Sequence, residues 1–107
     1  MKTNTITNAP QNQEHLFGLK MNDNSMEPRI RFGDTLIVRQ QYDAEHGNIV
    51  IAMIDSRFVC RKIETYTHGI MLVPLNSDYE TKFYRFEDMD QIPVKIIGRV
   101  LQSRRYL

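Results

Sequence analysis

The chain has 107 residues, 41% of them hydrophobic and 25% charged, with a formal net charge of +1. That length suits a single domain with a modest core, and the near-neutral balance gives no electrostatic reason to expect a nucleic-acid-binding surface. No apolar run approaches the ~20 residues of a membrane span, no apolar core follows Lys2 to make a signal peptide, and a lone Cys60 excludes an internal disulfide, so a cytoplasmic location with no membrane partner is expected.

Residues 1–14 are mostly Thr, Asn and Gln, with Ile6 the only sizeable apolar group after Met1. Such a segment buries too little surface to offset the entropy of ordering it, which predicts a flexible tail or linker ahead of a domain over 15–107. Leu16 to Met21 then alternates as a first strand, and Asn22-Asp23-Asn24 reads as a turn because Asn and Asp tolerate left-handed backbone. Met26 to Ile30 predicts one helical turn with Ser25 as its N-cap. Strands follow at Thr35–Arg39, after Gly33-Asp34, and at Asn48–Ile54, where the apolar run predicts burial on both faces. Asp55-Ser56 is a hairpin turn into a strand over Arg57–Glu64, and Thr67-His68-Gly69 turns into another over Gly69–Pro74. Phe86–Asp90 predicts a short helical turn and Pro93–Leu101 a closing strand. Short strands, glycine punctuation and no long helix predict an all-β fold, a sheet or partly open β-barrel with one or two short helical turns. No pair of segments can form a helix-turn-helix, so DNA contact would need a domain absent from this sequence.

The most informative segment is Asn24-Ser25-Met26-Glu27-Pro28 followed by Gly33-Asp34-Thr35-Leu36-Ile37-Val38. It places a serine, predicted to be exposed, at a junction between strand and turn. It resembles the nucleophile segment of the LexA, UmuD and phage CI-repressor family of self-cleaving Ser/Lys peptidases. The resemblance runs from Leu16 to Arg105 and includes His46-Gly47-Asn48-Ile49-Val50, Leu72-Val73-Pro74-Leu75-Asn76 and Ile97-Gly98-Arg99-Val100. It implies a LexA- and signal-peptidase-like barrel, a homodimer, RecA-stimulated self-cleavage, and a RecA-like filament or a repressor as partner. It also implies Ser25 as nucleophile, with Asn24 and Met26 shaping its pocket.

That family carries its lysine base in a strand pattern such as Phe-Thr-Val-Lys-Lys-Leu. Here the run is Phe58-Val59-Cys60-Arg61-Lys62-Ile63, which puts Arg61 at the lysine position and Val59 at the supporting threonine. A serine hydroxyl needs a base to remove its proton, and guanidinium groups stay protonated to above about pH 12. Lys62 is adjacent but would face the other side of the strand, and could act as the base only through a one-residue bulge. Two further departures accompany Arg61: Asp23 stands where the family has glycine, and the upstream segment offers Ala9-Pro10 rather than a bond between a small residue and glycine.

Plainer roles compete for several residues. Ser25 could simply cap a helix, and Cys60 reads as a small buried hydrophobe rather than a second nucleophile. His15, His46 and His68 lack metal-ligand spacing, and neither metal nor cofactor is expected. Glu87, Asp88 and Asp90, like Arg99, Arg104 and Arg105, read as solvated charges, and Met21, Met53 and Met71 as core filler. Three functions follow. The first is a LexA/CI-like C-terminal domain that dimerises and regulates, with a degenerate Ser/Lys site. The second is an active self-processing peptidase, and the third an unrelated small β-barrel interaction domain.

Overall fold

A computed structural model describes residues 15–105; the tail expected over 1–14 lies outside the described residues. The strands are β1 (Leu16–Lys20), β2 (Thr35–Gln40), β3 (Ile49–Ile54), β4 (Arg57–Tyr66), β5 (Gly69–Val73), β6 (Lys82–Arg85) and β7 (Val94–Arg104). They form one antiparallel sheet in the order β1-β2-β7-β3-β4-β5-β6. The fold is therefore all-β, as expected. Among the described residues the one 3-10 turn, over Phe86–Asp88, falls within the predicted helical turn.

Alternation along the strands builds a core on each face of this sheet. Leu36, Val38, Ile51 and Cys60 join Met21, Met26 and Ile30 in one buried cluster. Val50, Ala52, Ile63, Ile70, Leu72 and Ile96 form the other. Burial of β3 on both faces follows directly, because Ile51 enters the first cluster and its neighbours Val50 and Ala52 the second. The β3–β4 hairpin turns at Asp55 and Ser56, whose positive φ values of 50° and 71° suit a two-residue turn of the primed type.

Strand β7 carries two bulges. Ile37 pairs with Gln102 and Val38 with Val100, leaving Leu101 extra; Ile51 pairs with Gly98 and Ala52 with Ile96, leaving Ile97 extra. Bulges bend and twist a strand, and these sit where β7 joins β2 to β3. At Gly98 a Cβ would collide with the Val38 side chain and the Arg39 carbonyl, so the bend needs glycine there.

Four local expectations need correcting. Residues 25–30 form turns rather than a helix, with one helical-type bond from Ile30 N–H to the Met26 carbonyl at 3.0 Å. Ser25 is not an N-cap: its hydroxyl is used elsewhere. The edge strand β6 was not expected, because Lys82-Phe83-Tyr84-Arg85 is short and three of its four residues are exposed, which leaves little hydrophobic periodicity. Strand β7 also runs three residues past Leu101, to Arg104.

Candidate active site

The segment joining β1 to β2 carries Ser25. It is closed at its base by Met21 N–H to the Asp34 carbonyl and Gly33 N–H to the Met21 carbonyl, both 2.8 Å. Met21, Met26 and Ile30 anchor it in the first core, and full burial of side chains of this size contributes about 1.5–3 kcal/mol each. Its tip is fastened to the β5–β6 loop. The Asn76 amide donates to the Asn24 carbonyl and the Asn76 N–H to the Ser25 carbonyl, both at 2.9 Å, while Asn24 N–H donates to the Tyr79 hydroxyl at 3.1 Å. Tight packing one residue after the serine and a double tether one residue before it leave the Ser25 side chain little freedom.

Ser25 is completely buried, which corrects the expectation that it is exposed. Its Oγ–H donates to Asp23 Oδ1 at 2.5 Å, and its backbone N–H donates to the same oxygen at 3.0 Å. Arg61 Nη1 donates to Ser25 Oγ at 2.6 Å and to the Cys60 carbonyl at 2.8 Å, and lies 3.6 Å from Asp23 Oδ2. The Arg61 guanidinium carbon sits 5.7 Å from the Tyr79 ring centroid, within cation–π range. Asp23, Ser25 and Arg61 thus form one polar cluster, with a serine hydroxyl held between a carboxylate and a guanidinium.

Among the other candidate residues, Lys62 takes a separate place. Strand β4 pairs with β3 without a register shift from Ile49↔Lys62 to Ile54↔Arg57, so Lys62 and Arg61 face opposite sides of the sheet. The Lys62 ammonium lies 3.4 Å from Glu64 Oε2. Met26 belongs to the core, and Asn24 serves through its backbone groups. Cys60 is buried, and burial pushes its thiol up to about 12 despite the neighbouring Arg61 guanidinium. His46 Nδ1 accepts the Thr65 N–H at 2.8 Å, away from the serine.

Chemically, the cluster fully engages the Ser25 hydroxyl, as donor to Asp23 and acceptor from Arg61. The position from which a neutral amine would take the hydroxyl proton is occupied by a cationic donor. The proton points instead at a carboxylate, and carboxylates are much weaker bases than neutral amines. The sequence shows Asp23 only as a departure from the family's glycine, and its role as acceptor for Ser25 is missed there. The available signal was an acid two residues before the serine, the spacing of an Asx turn.

The "Peptidase S24-like" family model matches residues 2–101. The chain belongs to the Peptidase S24-like family. It is 35% identical over 92 residues to a LexA repressor of Thermotoga petrophila, covering 85% of this chain and 44% of that protein. Against a LexA repressor of Carboxydothermus hydrogenoformans identity is 35% over 98 residues, covering 88% and 45%. A LexA repressor of Moorella thermoacetica is 40% identical over 94 residues, covering 87% and 42%. The chain therefore spans less than half the length of these S24-like relatives. Among the described residues no helix is long and apolar enough to cross a membrane.

Proposed function

We propose that this S24-like chain acts as the C-terminal domain of a LexA/CI-type transcriptional repressor, associating as a homodimer and regulating without cutting itself. The observation that carries this reading is the 2.6 Å hydrogen bond from Arg61 Nη1 to Ser25 Oγ. A permanent donor in the place of the base keeps the serine a hydroxyl, and the complete burial of Ser25 denies it a carbonyl to attack. DNA would be bound only by a helix-turn-helix domain outside this chain. Self-association is supported by the open ends of the sheet: β1 and β6 each have a strand partner on one side only among the described residues, and open edges invite pairing.

A second reading is an active peptidase performing RecA-stimulated self-cleavage, with a RecA-like filament as partner. One observation favours it: the Asp23 carboxylate accepts a hydrogen bond from the Ser25 hydroxyl and so lies where a base would have to lie. Long incubation at about pH 10, where lysine amines lose their charge, separates the two readings, followed by mass spectrometry with and without an Ala-Gly linker peptide. The non-cutting reading expects intact protein and intact peptide. Cleavage that disappears in both Ser25→Ala and Asp23→Asn would establish the second reading instead. Sedimentation velocity at tens of micromolar tests the dimer, and a monomer there would count against self-association.

A further inference from the structure

A groove of about 210 Å³ opens beside Arg61. Its inner side is apolar, through the buried Leu72 and the half-buried Val59, while its exposed lining residues are charged: Arg57, Lys82 and Glu80. With Arg61, three cations face one carboxylate. Ser25 does not line the groove; it lies fully buried behind Arg61.

Arginine has five N–H donors in a fixed fork. All three contacts of Arg61 with Ser25, Cys60 and Asp23 run through Nη1. Nε and Nη2 have no hydrogen-bond partner among the described residues, and the side chain is 13% exposed, enough to meet a ligand in the groove. Arg57 lies four residues away on the same strand and the same face, so the two guanidinium-bearing positions are ~13 Å apart along β4. Carboxylates four residues apart in an extended peptide match that spacing, with apolar residues between them against Val59 and Leu72.

We propose that this groove binds an extended acidic peptide of a partner protein, carboxylates flanking an apolar centre, and holds it uncut. This rests on the reading of Ser25 as non-catalytic. The segment preceding β1 is a poor occupant, since residues 1–14 contain one acid, Glu14, and one branched aliphatic residue, Ile6. The Glu80 carboxylate on the lining, together with a chain charge of only +1, disfavours a nucleic-acid strand.

The test uses end-capped, fluorescein-labelled Asp-Val-Leu-Val-Asp and its Asn-Val-Leu-Val-Asn counterpart in fluorescence anisotropy. The acidic peptide should bind about tenfold tighter or more, with the difference shrinking as salt is added. Arg61→Gln should remove the preference. Because that change also touches Ser25, the double variant Arg57→Gln with Lys82→Gln, confined to exposed residues, should lower the preference independently. Mass spectrometry of the recovered peptide should return it intact. Equal binding of the two peptides, or a preference unchanged in the double variant, overturns the proposal while leaving the non-catalytic reading in place. Cleaved peptide, with cleavage lost in Ser25→Ala, overturns both.

Discussion

Two Asp–Arg pairs flank the segment between β1 and β2, and they are built to opposite ends. Asp34 and Arg105 form a bidentate pair, Nε to Oδ1 and Nη2 to Oδ2, both at 2.9 Å, and the Arg31 N–H adds a third bond to Oδ2 at 2.9 Å. Asp34 is 3% exposed, and the Arg105 hydrogen bonds hold its carboxyl below the ordinary carboxylate range against the opposing effect of burial. Asp23 and Arg61 touch at only 3.6 Å, and a serine hydroxyl bridges them. The first pair exhausts its carboxylate on structural partners and clips the end of the chain onto the Gly33-Asp34 turn. The second leaves one carboxylate oxygen for a hydroxyl and two guanidinium nitrogens for a groove. Identical residue types yield a clip or a site according to which donors and acceptors remain unused.

The largest effect expected from breaking this contrast is on stability. Asp34→Ala should cost about 2 kcal/mol in urea denaturation, through loss of the turn cap and of a bidentate pair whose arginine is partly solvated. Asp23→Ala should cost about 1 kcal/mol, because it loses two hydrogen bonds rather than three and its carboxylate is the more exposed of the two. Equal costs, or the reverse order, would remove the distinction between clip and site.

A smaller effect is expected from acid. The folded carboxyl of Asp34 titrates below its ordinary value of 3.8, so the unfolded chain binds its proton first as pH falls. The stability it contributes is complete above that value and is lost on descending through the folded one. The gap between the protein and Asp34→Asn should stay constant from neutral pH to about pH 4 and close below it. A gap that closes at higher pH in a denaturation series would show that Arg105 does not hold this carboxyl.

The smallest expected effect is none. With its thiol raised to about 12 by burial, Cys60 should resist a thiol reagent in the folded protein at mildly alkaline pH and react fully in urea. Rapid labelling of the folded state would mean that the neighbouring Arg61 charge outweighs burial, and that the site is more open than its hydrogen bonds imply.

Much of this was legible in the residues. The unbroken apolar run of β3, the Asp55-Ser56 turn and the apolar closing strand identify an antiparallel β domain, because apolar patterning, side-chain period and turn chemistry are local properties. The opposite faces of Arg61 and Lys62 follow from the same period. Strand β6 escaped because an exposed edge strand needs no hydrophobic pattern; its pairing with β5, not its composition, makes it a strand. The expected N-cap of Ser25 failed because a nearer carboxylate competes for its hydroxyl.

The sequence alone therefore determined the fold class, the family resemblance, and an arginine at the position where that resemblance implies a base. Those depend on periodicity, turns and the chemistry of single side chains, all of which are carried by neighbours in the chain. Only the tertiary structure decided that Ser25 is buried, that Asp23 accepts its hydrogen bond, and that Arg61 stands between it and a cationic groove. Each of those relations depends on the meeting of the β1–β2 segment, β4 and the β5–β6 loop, tens of residues apart, and no local pattern encodes which donors are left free once they have packed.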